Sequence, residues 1–436
     1  MRGASYPGGM TDAPVSAPYG AWRSPLSAAD VAGGSHPVTG GQYVQDGIWW
    51  SELRGAEGGR YGVFRSGAEG SPETVLPAPW NARSRVHEYG GGAWAATDAG
   101  ALVFVEFSDQ RVHVLEPGGS PRPLTPVQDG AAYGDLSLHG DAVIAVREVT
   151  SADGVERDIV AIPLDGSAAG DLGALTSIAS GSDFLAFPRF SPDGTRLAWI
   201  AWNHPQLPWD GTELRVGSLV DGRVGEWRTL LGGTTESVLQ PEWRGGDSLL
   251  AITDRSGWWN LVEVDLDGAV RPVVVQERET GGALWNLGVR WYSLLPDRGV
   301  VLVSTFGTDR LELWRDGAAT LLDVGLTSIE LLDVTGRRLL IEGGSGAVSA
   351  GLREFDLTSG QLRDVRLGDD RVPDPGLVPV AEERTFGVDR EVHAIVYPPC
   401  NPDFVAPEGE LPPYVAFVHG GPTSHTAPRV NPVFLY

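Results

Sequence analysis

The chain has 436 residues, of which 42% are apolar, and its 57 acidic against 33 basic residues give a formal net charge of −24. This length is enough for two or three domains, and the apolar fraction supports a folded core and argues against a disordered chain. The excess of acidic residues argues against binding to nucleic acid or to an anionic membrane, because both need basic surface patches.

Cysteine usage and hydropathy indicate the cellular compartment. Cys400 is the single cysteine, so no internal disulfide is expected, and the absence of a Cys/His cluster predicts neither a metal nor a cofactor. Residues 1–12 lack the apolar segment of a signal peptide, and no run of 18 apolar residues predicts a membrane-spanning helix. We therefore expect a cytoplasmic protein that starts at Met1 or Met10, with its oligomeric state open.

The N-terminal segment, residues 1–39, lacks the strand pattern of the rest of the chain. From Trp22 to Val31 it has Ser24 and Pro25 ahead of an alanine-rich stretch, which predicts a short helix that begins near these two residues.

A repeating pattern of short strands occupies residues 40–370. Each unit has about four alternating or apolar runs separated by Asp-Gly, Pro-Gly or Gly-Gly turns, and units begin about 40–55 residues apart, as propeller blades do. The seven units run from Gly41 to Gly67, Gly91 to Gly119, Tyr133 to Gly166, Phe187 to Gly222, Pro241 to Gly268, Arg290 to Gly317 and Ser328 to Gly360. No unit alone covers both faces of its sheet, so the units must pack side by side into a ring. The prediction is an all-β, seven-bladed β-propeller; a pair of β-sandwiches is the alternative, but it would not need so regular a repeat.

Residues 371–436 predict the first strands of a different domain. After an Asp/Pro-rich exit from the ring, Arg384 to Gly387 and Val392 to Pro399 predict a hairpin, and the apolar run from Tyr414 to Val418 predicts a further strand. That run leads into His419-Gly420-Gly421-Pro422, here called the HGGP loop. A strand followed by such a loop supplies one oxyanion-hole donor in α/β-hydrolases, so this region is interpreted as the incomplete start of an α/β-hydrolase domain. An ordinary turn at the end of a strand is the alternative.

The nucleophile of such a domain sits on a Gly-x-Ser-x-Gly turn, and the sequence has no such pattern. The nearest match, from Ala347 to Gly351, places Ser349 in the seventh unit, where a loop serine is the better interpretation. The catalytic serine, aspartate and histidine are therefore expected beyond Tyr436, and the chain as given is expected to be inactive.

Three segments carry a family resemblance. These are Arg85 to Trp94, then Phe187 to Gly194 continued by Trp199 and the run from Trp202 to Leu214, and finally the HGGP loop. Together and in this order they resemble the prolyl oligopeptidase family of serine peptidases, and within it the acylaminoacyl-peptidase and dipeptidyl-aminopeptidase-like branch. The resemblance extends from about Ala21 to Tyr436.

The resemblance implies an oligopeptide substrate that is admitted through the propeller. It also implies that the backbone N–H of Gly421 is an oxyanion-hole donor with Gly420 beside it, while His419 and Pro422 shape the loop. Glu88, His87 and Arg85 are candidate substrate-binding residues, Glu88 for an amino group and Arg85 for a carbonyl or carboxylate. The alternative is that they belong to a loop that packs between blades, with Glu88 paired to an arginine.

Two other functions remain open at this point. A non-catalytic propeller that binds a partner is one, although an apolar strand without a sheet to join argues against it. An esterase-type acyl hydrolase on the same scaffold is the other. The sequence does not distinguish acylaminoacyl, dipeptidyl and prolyl specificity.

Overall fold

The computed structural model describes residues 13–24, 27–33, 35–67, 70–369, 375–421 and 423–431. Seven four-stranded sheets follow one another along these residues, and each is made of four strands that are consecutive in the chain and pair as neighbours. They are numbered blades 1 to 7. The seven-bladed β-propeller predicted from the repeat is confirmed.

The first strands of neighbouring blades contact one another, so the strands of each blade run from the ring centre outward in chain order. Those of blades 1 to 4 are Val38–Val44, Gly47–Arg54, Arg60–Ser66 and Pro72–Thr74; Trp94–Ala96, Leu102–Val105, Val112–Leu115 and Arg122–Pro123; Ala131–His139, Ala142–Ser151, Gly154–Pro163 and Thr176–Ser180; and Phe184–Phe190, Arg196–Trp202, Glu213–Val220 and Arg223–Gly232. Those of blades 5 to 7 are Val238–Trp243, Ser248–Thr253, Asn260–Asp265 and Val270–Pro272; Tyr292–Leu294, Val300–Phe306, Thr308–Arg315 and Ala318–Leu322; and Ser328–Thr335, Arg338–Gly344, Gly351–Asp356 and Gln361–Leu367.

The second strands of the blades form the core. Leu102–Val105 and Ser248–Thr253 are buried at every position. Neighbouring blades cover both faces of such a strand, so its sequence is a continuous apolar run instead of an alternating one.

The ring is joined at its centre by polar contacts from one blade to the next. The backbone N–H of Phe187 in blade 4 donates to the Asp135 carboxylate of blade 3 at 2.7 Å, beside a register break in each of these first strands. The ring closes in the same way, since the N–H of Tyr43 in blade 1 donates to Asp333 of blade 7 at 2.8 Å. Burial raises the pKa of both carboxyl groups above the usual range.

The flanking elements are few. The helix Ala28–Gly33 lies C-terminal to the predicted start, and Pro25 falls outside the described residues. A parallel two-stranded pair joins Val15–Ser16 to Phe404–Val405. The predicted hairpin is confirmed, with Glu382–Phe386 antiparallel to Val392–Val396. Short 3₁₀ turns are Gly55–Glu57, Ser167–Ala169, Leu172–Ala174 and Pro375–Leu377. Among the described residues, no helix is long and apolar enough to span a bilayer.

The predicted strand at residues 414–418 is wrong: the structure forms no strand there. Tyr414 is 92% and Val418 90% exposed. A strand exists only when another strand supplies its hydrogen bonds, and no strand in the described part of the chain pairs with this segment.

Candidate functional site

The C-terminal segment, residues 375–431 without Pro422, lies against the propeller. The indole N–H of Trp285, in the connection before blade 6, donates to the Thr423 hydroxyl at 3.0 Å. The N–H of Val430 donates to the Ser345 carbonyl of blade 7 at 2.8 Å, and the Thr327 hydroxyl donates to the carbonyl of Pro428. These contacts hold the HGGP loop beside blades 6 and 7.

A cavity of about 3910 Å³ lies between this segment and the propeller. His419, Thr423 and Trp285 contribute to its wall, together with Glu342 and Arg429. This volume exceeds that of a typical small-molecule pocket, about 300–1,000 Å³.

The backbone of the HGGP loop is open to an approaching group. Gly421 has φ +71°, and a Cβ built there would meet only the Trp285 ring, at 3.9 Å; at Gly420 it would meet nothing within 4 Å. The His419 side chain is exposed, with Nδ1 3.4 Å from the Gly420 carbonyl oxygen. Pro422 lies outside the described residues. Glycine suits a loop where a substrate must come close to backbone N–H groups.

Glu88 lies at the tip of the loop between blades 1 and 2. His87 and Glu88 both have positive φ, +54° and +67°, and the N–H of Glu88 donates to the Arg85 carbonyl at 2.9 Å. The Glu88 side chain is exposed, and no ion pair to it is found among the described residues. The alternative that pairs Glu88 with an arginine is therefore not observed, and its carboxylate is available to a ligand.

His87 lies in an aromatic cluster. Its ring makes edge contacts with Phe184, at 5.2 Å between centroids, and with Trp202, at 5.7 Å. Its Nε2 is buried with no hydrogen-bond partner in the described structure. Burial, and secondarily the Arg157 charge, lowers the pKa of His87 to about 3, so the imidazole is neutral near pH 7. This environment indicates packing of the loop more than direct contact with a substrate.

Arg85 lies on the side of the loop facing blade 2. Its guanidinium carbon is 4.2 Å from the centroid of the Phe107 ring, and its backbone N–H donates to the Gln110 side chain at 2.8 Å. The side chain is exposed. Stacking of this kind contributes about 0.5–1 kcal/mol at an exposed site and fixes the guanidinium direction.

Sequence reasoning missed Trp285, where the three segments that carry the resemblance meet. The ring of Tyr89, from the first segment, is 5.1 Å from the Trp285 ring, and that of Trp209, from the second, is 4.6 Å away. Thr423, directly after the third, accepts the indole N–H. No sequence motif surrounds Trp285, so the meeting of these three segments at its ring is seen only in the folded structure.

Two glutamates of blade 7 also line the cavity. Glu330 and Glu342 are directly opposite each other on neighbouring strands. Burial, and secondarily the nearby Glu330, raises the pKa of Glu342 to about 7, whereas Arg429 and Arg353 oppose this shift.

We expect Glu342→Gln to make the protein less sensitive to rising pH. A carboxyl group whose pKa is raised on folding favours the folded state below its unfolded pKa, near 4.5, and this contribution is lost as the pH rises to about 7. The variant should therefore gain about 1–3 kcal/mol in unfolding free energy, relative to wild type, between pH 5 and pH 8. Urea denaturation at both pH values measures this. The exposed Glu226, changed to Gln, serves as control, and an equal effect of Glu342→Gln at both pH values would contradict the assignment.

Comparison with solved structures identifies the fold's relatives. The structure is similar to a puromycin-hydrolyzing peptidase of Mycobacterium tuberculosis, with a TM-score of 0.92 and 38% identity over 96% of this chain and 68% of that one. It is also similar to puromycin hydrolase, free and as a serine-to-alanine mutant complexed with PGG, each with a TM-score of 0.91 and 39% identity over 97% of this chain and 67% of that one. The chain thus spans about two thirds of the length of these proteins.

More distant neighbours share the fold alone. A prolyl endopeptidase has a TM-score of 0.60 at 12% identity, covering 83% of this chain and 54% of that one. Prolyl oligopeptidase B of Galerina marginata has a TM-score of 0.60 at 10% identity, covering 84% of this chain and 55% of its own. No protein-family model and no curated protein matches the sequence. Given the coverage and identity shared with the puromycin-hydrolyzing peptidases, the chain belongs to the prolyl oligopeptidase family of peptidases.

Proposed function

We propose that the protein is a serine-type peptidase that hydrolyses short oligopeptides, with Gly421 as an oxyanion-hole donor and Glu88 as the group that binds the substrate's amino end. The observation that carries this proposal is the convergence on Trp285 of the Glu88 loop and the HGGP loop. The similarity to puromycin-hydrolyzing peptidases supports the same reaction class.

The proposed reaction needs a serine whose oxygen attacks the substrate carbonyl while a histidine accepts its proton. We propose that both groups lie outside these 436 residues, because the sequence has no Gly-x-Ser-x-Gly turn. The Gly421 N–H then stabilises the negative charge that develops on the carbonyl oxygen. One such donor contributes about 2.7–4 kcal/mol to transition-state stabilisation.

A protein that includes the proposed serine and histidine, here called the full-length protein, tests this proposal directly. We expect a fluorophosphonate probe to label one serine, and we expect hydrolysis of unblocked aminoacyl or dipeptidyl amides, N-acyl aminoacyl amides or puromycin. Faster cleavage of esters than of matched amides, beyond their intrinsic reactivity difference, would favour an esterase. A full-length protein that is neither labelled nor active on any of these substrates would favour the non-catalytic binding module and end the peptidase proposal.

Glu88→Gln provides a prediction on substrate recognition. A carboxylate that accepts a hydrogen bond from a substrate ammonium contributes about 1.5–3 kcal/mol, so kcat/KM for an unblocked substrate should fall about 10–100-fold, mainly through KM. The N-acetylated form of the same substrate has no charge there and should be cleaved by both proteins at the same rate. Equal losses on both substrates would mean that Glu88 supports the loop instead of binding the amine.

A further inference from the structure

We propose that Trp285 is a positioning residue, whose indole sets the position of the HGGP loop relative to the Glu88 loop. This inference rests on the proposed function, in which Glu88 binds the amino end and Gly421 the carbonyl oxygen. Under this proposal, Trp285 of the propeller positions the backbone N–H of Gly421 in the C-terminal segment.

The first step is the contact between Trp285 and the HGGP loop. The indole N–H donates to the Thr423 hydroxyl at 3.0 Å, and a Cβ at Gly421 would lie 3.9 Å from the same ring. The indole therefore binds the residue directly after the HGGP loop, and its ring lies close to Gly421, which carries the proposed donor. One hydrogen bond with defined geometry fixes the direction of the loop as well as its distance.

The second step is the contact between the Trp285 segment and the Glu88 loop. The N–H of Leu287 donates to the Gly90 carbonyl at 2.8 Å, and Leu287 forms a parallel bridge with Gly91. The ring of Tyr89, next to Glu88, lies edge-on to the Trp285 ring at 5.1 Å. Backbone pairing on one side and ring packing on the other hold Trp285 to the residues directly after Glu88.

The third step concerns what keeps the indole itself in place. The ring of Trp209 also packs against it, at 4.6 Å between centroids, and the side chain of Trp285 is half-buried. Aromatic pairs at this separation contribute about 0.5–1.5 kcal/mol beyond burial, and two of them restrict the ring. The N–H is thus directed at Thr423 by the surrounding packing and not by the HGGP loop alone.

The test uses four variants of the full-length protein. Thr423→Val keeps the shape of the side chain and removes the acceptor, Thr423→Ser keeps the hydroxyl, Trp285→Phe removes the N–H but retains a ring, and the fourth combines Thr423→Val with Trp285→Phe. On an unblocked aminoacyl amide we expect kcat to fall about 5–10-fold in Thr423→Val and Trp285→Phe, with KM within about twofold. Thr423→Ser should behave as wild type, and the combined variant should be no slower than Trp285→Phe, because one bond is lost in each case.

A merely structural role would give a different pattern. It would change KM and kcat together, or leave kcat of Thr423→Val at the wild-type value, or make the two losses multiply in the combined variant; each of these results would overturn the proposal. Hydrogen exchange of the amides in residues 415–423 supplies a readout without turnover. We expect faster exchange in Thr423→Val and Trp285→Phe than in wild type and Thr423→Ser.

This readout separates the two proposals. If the wild-type protein cleaves no substrate, the proposed function fails, while unequal exchange among the variants still supports the positioning role. If the wild type is active and exchange is equal in all variants, the positioning role fails and the proposed function stands.

Discussion

Replacing Gly91 with alanine is expected to lower the unfolding free energy by about 3–5 kcal/mol, a large fraction of the stability of a typical domain. Gly91 has φ +107°, and a Cβ there would lie 2.1 Å from the carbonyl oxygen and 2.5 Å from the nitrogen of Leu287. Both are backbone atoms, so no side chain can rotate away. Backbone strain and overpacking contribute about 1–3 kcal/mol each.

A matched control separates these two causes. Gly257 also has positive φ, +86°, but no atom lies within 4 Å of its Cβ position. Gly257→Ala should therefore cost only the strain of the left-handed region, about 1–2 kcal/mol. Urea denaturation followed by tryptophan fluorescence measures both variants. Equal losses would show that the contact with Leu287 does not restrict residue 91.

The largest effect on activity is expected for Gly421→Ala in the full-length protein. Alanine at φ +71° is strained by about 1–2 kcal/mol, and rotation out of the left-handed region relieves the strain while turning the N–H away from the substrate oxygen. Under the proposed function, the decrease in kcat should approach about 10²–10³-fold, which is the loss that results from removal of one oxyanion donor. KM should change little, because this contact forms mainly in the transition state.

Gly409 provides the control for this experiment. It lies in the same segment with φ +83°, and nothing is within 4 Å of its Cβ position. Gly409→Ala introduces the same strain away from the cavity, so its kcat should stay within about twofold of wild type. Steady-state kinetics on one amide substrate compares the two variants. A Gly421→Ala enzyme as fast as Gly409→Ala would remove Gly421 from the oxyanion hole.

The blades could be predicted from sequence because their signals are local. Pro192-Asp193-Gly194 marks a turn, and the apolar run directly after it becomes the buried strand Arg196–Trp202. The run at residues 414–418 has an equally apolar sequence but forms no strand. An apolar sequence indicates that a segment tends to be buried, but the segment forms a strand only if another strand is available to pair with it.

Some residues of the candidate site could likewise be predicted from a local motif, whereas others depend on contacts between distant parts of the chain. Glu88 and Gly421 lie in motifs that make them candidates from the sequence alone, and both have positive φ in the structure. Trp285 has no motif, because its importance comes from Tyr89, Trp209 and Thr423, which are distant in sequence and meet only in the closed ring. His87 was predicted as a substrate-binding candidate, yet its burial against Phe184 and Trp202 depends on blade 4, which sequence spacing does not place.

The pairing of Gly90 and Gly91 with Leu287 also has a consequence for biosynthesis. These residues belong to the connections before blades 2 and 6, which are not adjacent in the ring, and they are separated by about 200 residues of chain. Each blade is made of consecutive strands and can form as it leaves the ribosome. The pairing of Gly90 and Gly91 with Leu287 cannot form until the connection before blade 6 has been synthesised. At about 5–20 residues per second, the glycine segment spends about 10–40 s without its partner. Closure of the ring comes later still, because the bond between Tyr43 and Asp333 needs the seventh blade.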